Sequence, residues 1–142
     1  MGIEISNQEQ KTLCTVTTAG AVSSTNVGQT ALSRPRNGIT FVCNLTAAAT
    51  DVGDTLDVKV QANLGGLWVD VAYFTQMLGN GGAKQFGAKI MTQTAFALGS
   101  TSTALTAGNI RHLFGDEYRV NYVTVDADAN SAFTFSVYAI PF

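Results

Sequence analysis

The sequence predicts an all-β protein: a single-domain antiparallel β-sandwich or jelly-roll-like barrel of about seven or eight strands with an extended N-terminal arm. Three observations carry this expectation. Apolar residues recur at every second position in most ordered-looking segments, which is the period of a half-buried strand. Two adjacent glycines, Gly65 and Gly66, separate two such segments, where a two-residue hairpin turn needs positive φ. No segment holds a long helical period, and turn residues recur at short intervals. The 142 residues suit one domain, 1–142, with an N-terminal strand and arm over 1–38 and a sandwich core over 39–142.

Residues 10–17, QKTLCTVT, read as a weak strand. The stretch AGAVSSTNVGQTALSRPRNG is small and polar and contains Pro35 and the turn pair Asn37-Gly38, so it reads as a long connection or extended arm. In ITFVCNL, 39–45, alternation sends Ile39, Phe41, Cys43 and Leu45 to one face, and 46–54 is a loop.

The stretch 55–74, TLDVKVQANLGGLWVDVAYF, is the sharpest local signal. With Gly65-Gly66 as the turn, Leu64 faces Leu67, Ala62 faces Val69, Val60 faces Val71 and Val58 faces Tyr73, a wholly apolar face. The other face pairs Asn63 with Trp68, Gln61 with Asp70, Lys59 with Ala72 and Asp57 with Phe74. A slip of one residue would turn the whole apolar set outward, which pins the register.

Further on, a glycine cluster precedes a strand through Phe86, Ala88 and Ile90. MTQTAFALGSTSTALTAG has no clear period, and NIRHLFG reads as one helical turn ended by Gly115. EYRVNYVTV alternates Tyr118, Val120 and Tyr122 with Arg119 and Asn121; DADAN, 126–130, is a polar turn. SAFTFSVYAIPF places Phe133, Phe135 and Val137 on one face and Thr134, Ser136 and Tyr138 on the other.

Composition bounds function. Only 13% of residues are charged, with net charge −2, against about 25% charged in typical soluble domains. Coverage of the surface by other subunits accounts for this; a surface rich in Thr, Ser, Asn and Gln is the plainer alternative. Scattered cations argue against nucleic acid as a partner. No apolar run approaches the ~20 residues that span a membrane, and MGIEISNQEQK lacks the regions of a signal peptide. Gly2 and Ser6 match a myristoylation pattern, and Asn44-Leu45-Thr46 a glycosylation sequon, both as chance matches.

The residues suggest no reaction and no cofactor. His112 is the only imidazole and has no nucleophile motif beside it, so it reads as structural or surface. Asp54, Asp57 and Asp70 lie near the hairpin, the latter two on its outer, half-solvated face, as ordinary surface carboxylates. Asp126, Asp128 and Asn130 imitate the start of a calcium loop, but Ser131 replaces the glycine and Val137 the glutamate. A polar hairpin turn explains that segment better, with a weak or intersubunit calcium site as the alternative. The glycines of 79–82 lack the Lys-Ser/Thr of a phosphate loop. Cys14 and Cys43 read as reduced, buried thiols, with a disulfide open if their strands are neighbours; with one histidine they make no zinc site.

The remaining clue is apolar mass on a polar row. Trp68 and Phe74 stand on the outer face, where large aromatics mark binding hot spots, unless a loop of the same chain (the 20s or 76–84) folds over them. The apolar end Ile140-Pro141-Phe142 implies docking, within the subunit or on another. The arm, with Arg34 and Arg36, is a candidate to lie on a neighbour. The candidate interface is therefore Trp68, Phe74, Arg34, Arg36 and Phe142.

TLDVKVQANLGGLWVDVAYF and GDEYRVNYVTVDADANSAFTFSVYAIPF resemble small β-sandwich structural proteins of tailed bacteriophages. The shared features are an LDVKVQ strand, a glycine turn, a W-V-D-V strand, a G-x-x-x-R-V strand and a closing F-T-F-S-V strand, over 39–74 and 115–142. Within that group the resemblance is to capsid decoration, or cement, proteins. It implies a virion protein on the capsid exterior, assembled in the host cytoplasm, that binds the major capsid protein and itself, often as a trimer, and stabilises the shell. It fixes no binding residues. A tail, neck or fibre-associated module, and a carbohydrate-binding β-sandwich stacking sugars on Trp68 or Tyr73, are the other readings.

Overall fold

A computed structural model describes residues 10–32, 35–92, 104–126 and 132–142. These residues form strands and connections and contain no helix. In chain order the strands are β1 Lys11–Thr17, β2 Val22–Ala31, β3 Gly38–Ala47, β4 Thr55–Leu64, β5 Leu67–Tyr73, β6 Met77–Leu78, β7 Lys84–Met91, β8 Asn109–Ile110, β9 Glu117–Val125 and β10 Thr134–Pro141. They make two antiparallel sheets: a four-stranded sheet ordered β1-β10-β3-β7 and a six-stranded sheet ordered β2-β9-β4-β5-β8, with β6 also on β4. Two of the ten, β6 and β8, are two residues long, so the longer strands match the number expected.

Alternation builds the core between the sheets. Ile39, Phe41, Cys43 and Leu45 of β3 and Phe135, Val137 and Ala139 of β10 face Val58 and Val60 of β4 and Tyr118, Val120 and Tyr122 of β9. Aromatic pairs bridge the sheets: Phe41 and Tyr118 lie 5.7 Å apart, and Phe135 meets Tyr122 edge-on at 5.5 Å. Such tilted and edge contacts suit the ring quadrupoles and add about 0.5–1.5 kcal/mol each beyond the area they bury.

The hairpin turns at Gly65 and Gly66, with φ of 63° and 98°. Asn63 Oδ1 accepts the Gly66 N–H at 2.7 Å. Four expected pairs form: Leu64 with Leu67, Asn63 with Trp68, Ala62 with Val69 and Gln61 with Asp70. Beyond them the register shifts, so that Val60 pairs with Ala72 and Lys59 with Tyr73. Val71 is the extra residue, and a bulge of this kind inverts alternation downstream. The expected pairings of Val60 with Val71, Val58 with Tyr73, Lys59 with Ala72 and Asp57 with Phe74 are therefore replaced. Phe74 enters the core at 3% exposure, beside Val71 and Ala72, while Tyr73 turns out. This assignment buries a phenyl ring, worth about 1.5–3 kcal/mol, and leaves the tyrosine hydroxyl free to find a polar partner. At the tip, Leu67 is exposed and Leu64 half-buried, so that pair is not core.

The segment expected as a connection or extended arm is itself a strand. β2 lies at the edge of the larger sheet on β9. Its alternation is hidden by register shifts between Val22 and Thr25 and between Val27 and Thr30. Such irregularities also blunt an otherwise uncharged edge. Gly28 sits at the second shift with φ of 69°, and a Cβ there would lie 2.0 Å from the Leu13 carbonyl oxygen of β1.

The helical turn expected at 109–115 does not form. Asn109 and Ile110 pair with Tyr73 and Ala72 as β8, and the Arg111 N–H donates to Val71 O at 2.9 Å. The donors that a helical turn would use are taken elsewhere: Arg111 N–H by β5, Leu113 N–H by the Arg111 carbonyl two residues back, and Gly115 N–H by the Tyr118 hydroxyl. Gly115 closes no helix; it lies where a Cβ would come within 2.3 Å of Asn63 O.

Val137 of β10 pairs with Cys14 on one side and Cys43 on the other, so a whole strand separates the two free cysteines. Burial pushes the Cys14 thiol up to about 11 and the Cys43 thiol up to about 12. The C-terminal residue docks within its own subunit. Phe142 N–H donates to Gly38 O at 2.8 Å, and Phe142 O accepts the N–H groups of Asn37 and Gly38 at 2.7 and 3.0 Å.

The glycines at the two ends of this scale give a test. Gly28→Ala meets both an unfavourable φ and the β1 backbone, whereas Gly65→Ala meets only the φ, since nothing lies within 4 Å of its Cβ position. Urea titration should show Gly65→Ala costing about 1 kcal/mol and Gly28→Ala costing clearly more, about 3 kcal/mol or above.

Candidate interaction surface

The outer face of the six-stranded sheet carries the polar side chains that alternation excludes from the core. β4 contributes Asp57, Lys59, Gln61 and Asn63; β5 contributes Trp68, Asp70 and, past the bulge, Tyr73; β9 contributes Arg119, Asn121, Val123 and Val125. Cross-strand pairing brings Gln61 opposite both Asp70 and Arg119.

These groups form one connected chain. Arg119 Nε donates to Gln61 Oε1 at 2.8 Å, and Gln61 Nε2 donates to Asp70 Oδ1 at 2.8 Å. Lys59 Nζ lies 3.7 Å from Asp70 Oδ2 and 4.7 Å from the Tyr73 ring centroid. Tyr73 OH donates to Asp57 Oδ1 at 3.0 Å, and Gln76 Nε2 donates to Asp57 Oδ2 at 3.0 Å. The Arg119 guanidinium lies 4.2 Å from the centroid of Trp68. Bonds involving charged partners are the stronger class, and the chain as a whole fixes the side chains of this face.

Two titrating groups register the arrangement. Partial burial, then the hydrogen bond to Asp57 and the charges of Asp57 and Asp70, push the Tyr73 phenol up to about 12. Burial lowers Arg119 from its ordinary value.

Asp70 departs from expectation. It is on the outer face, yet it is 3% exposed. Leu105 N–H donates to its Oδ2 at 3.0 Å, and Arg111 Nη1 donates to its carbonyl oxygen at 3.1 Å. Leu105 before β8 and Arg111 after it close over this residue; Gln61, Lys59 and the Leu105 amide replace water around the carboxylate.

The structure separates the expected interface residues. Trp68 stays on the outer face, half-buried, with Arg119 over its ring. Phe74 is a core residue, removed from the interface by the bulge at Val71. Arg36 is exposed, and Arg34 lies outside the described residues. Phe142 is half-buried on its own subunit, with Lys89 Nζ 5.2 Å from its ring centroid.

His112 is tied into the fold: its Nδ1 accepts the Met91 N–H at 2.9 Å. Of the calcium-like segment, Asp126 is half-buried near Gly20, while Asp128 and Asn130 lie outside the described residues. Among the described residues no three His, Cys, Asp or Glu side chains gather as a metal set, and no helix is long and apolar enough to cross a membrane.

The sequence reading missed an apolar set. Val52 is 79% exposed, and Leu78 and Val125 are 56% and 53% exposed. Leu78 and Val125 flank Thr55 on its two sides in the sheet. The odd-even alternation of β9 already sets Val125 opposite to Thr124, but the pairing with β6 has no local signal. Compared with known proteins, the chain matches no family model, no curated protein and no solved structure.

Trp68 is the only tryptophan, and Arg119 is the cation over its ring among the described residues, so its emission reports on that contact. Arg119→Ala should increase acrylamide quenching of that emission and cost about 1 kcal/mol of stability, the size of a partly exposed cation–π contact. Tyr73 gives a second check. A phenol raised in the fold keeps its proton, so its contribution is present below the ordinary value of 10 and is lost as pH rises towards about 12. Ultraviolet titration should show a late phenolate component that Tyr73→Phe removes and that Asp57→Asn moves back towards 10.

Proposed function

We propose that the chain is a bacteriophage virion structural protein that decorates the capsid exterior, associating with itself and with the major capsid protein and stabilising the shell. The observation that carries this reading is a sparsely charged chain, 13% charged residues, with large apolar side chains open to solvent at both ends of the sandwich, Val52, Leu78 and Val125 at one and Leu67 at the other. Apolar side chains grouped among so few charges suit a surface that other subunits cover. The resemblance to decoration proteins supports it as well, because its segments fall on β3, β4, β5, β9 and β10, the strands that build most of the core. The mechanism is associative: area buried between subunits raises the free energy needed to separate capsomers. Assembly takes place in the host cytoplasm, and the mature location is the virion.

Trp68 and Tyr73 on one face favour a second reading, a sugar-binding platform. It is weakened by Arg119 and Lys59, each of which already lies over one of the rings.

Purified protein should co-sediment with capsids lacking it and raise their melting temperature, and cryo-electron microscopy should place its density on the capsid lattice. Density on the tail or neck, or no co-sedimentation, would rule out the decoration reading. A glycan array on which no sugar binds in a Trp68-dependent way removes the second.

A further inference from the structure

The two long sides of the sandwich are closed differently. On one side β1 and β2 pack together, with Gly28 against the Leu13 carbonyl oxygen. On the other side β7, the edge of the smaller sheet, faces the short β8 across a groove of about 100 Å³ walled by Phe74, Phe86, Ala88 and Ile110. Phe86 and Ala88 are half-buried there, and Ile110 is 40% exposed. Hydrogen bonding fixes which backbone groups of β7 turn outward. Thr92 N–H donates to Asn37 O, whereas Met91 N–H leaves the sheet for His112 Nδ1. Antiparallel pairs alternate between bonded and non-bonded. Phe86, Ala88 and Ile90 therefore bond β3, while Gln85, Gly87 and Lys89 point their N–H and C=O groups away from it. No strand pairs with that edge among the described residues. The edge is also basic: β7 carries Lys84 and Lys89 and no acid, and no carboxylate lines the groove.

We propose that the β7 edge is a recognition site for an extended, acidic segment of a partner protein, which adds to the smaller sheet as a further strand. Unpaired edge groups are a template for such a strand. Main-chain bonds to Gln85, Gly87 and Lys89 hold the segment, and every second side chain of it turns to the groove, where Phe86 and Ile110 receive an apolar residue. The side chains between lie on the outer face beside Lys89, where carboxylates are favoured. Gly87 leaves the approach clear, since no atom lies within 4 Å of its Cβ position. Charge selects the occupant: two β7 edges brought together would set the lysines of both at one seam with no acid between them, whereas an acidic strand neutralises the lysines. The site is defined by the edge and not by where the partner comes from, so it stands apart from the capsid reading.

Backbone amide NMR on the full chain tests this, with a short capped peptide alternating valine and glutamate as the probe. Its addition should shift the Gln85, Gly87 and Lys89 amides and slow their exchange with solvent, which should be fast in the free protein. Gly87→Pro should abolish binding. It removes an outward N–H that β3 does not use, a change that edge strands tolerate, and a melting curve checks that the variant is folded. Lys89→Glu should weaken binding by about tenfold and favour the valine–lysine counterpart of the peptide instead. Wild-type affinity in Gly87→Pro, equal binding of the two peptides by wild type, or no change at the three amides would overturn the proposal. So would amides already protected in the free protein, whether by its own chain or by a second copy. Co-sedimentation with capsids is scored separately: a wild type that binds the peptide and not capsids keeps the strand site and loses decoration.

Discussion

Val71 has no partner in β4, and the placement of every side chain after it in β5 follows from that one extra residue. Without the bulge, a strictly paired hairpin would set Tyr73 in the core and Phe74 on the polar face. With it, Val71 and Ala72 both reach the core, Phe74 packs inside and Tyr73 reaches Asp57. The core gains a ring that needs no hydrogen bond, and the outer face gains a phenol that makes one. The connected chain from Trp68 to Gln76 therefore depends on a backbone irregularity rather than on the residues that display it.

Much of the fold was legible because period-2 alternation is a direct consequence of strand geometry. β3, β4, β7, β9 and β10 follow it, and the Gly65-Gly66 turn has the positive φ values its composition implied. What remained hidden is equally physical. A bulge is one residue with no compositional mark, so Phe74 was assigned to the wrong face. β2 carries two register shifts, so its apolar residues Val22 and Val27 never line up in a simple alternation, and polar composition suggested an arm. β8 and Arg111 are held by acceptors on β5, and Asp116 by Asn63 of β4, which no local window contains. Of the candidate interface residues, Trp68 lies on the outer face as the strand period implies and Arg36 is exposed, while the exposure of Leu78 and Val125 depends on pairings distant in sequence.

On the outer face Asp57, Asp70, Lys59, Tyr73 and Arg119 share a single surface, and each is engaged by a neighbour within it. Such mutual satisfaction makes a stiff, patterned surface, which suits docking to another rigid body. On the proposed reading, the apolar groups at the two ends supply what the polar face lacks, area whose removal from water would drive association.

The order of strands in the smaller sheet constrains how the protein is made. β10, latest of the ten in sequence, lies between β1 and β3 and supplies the neighbours that both require. While residues 134–141 remain in the ribosome tunnel, β1 has no partner within its sheet and β3 has one open side. A nascent chain therefore waits with unsatisfied edges and uncovered Phe41 and Leu45, and closure comes as a late, non-local step. Translation speed and chaperone access while β10 is being made thus acquire a physical stake in how much of the product avoids aggregation.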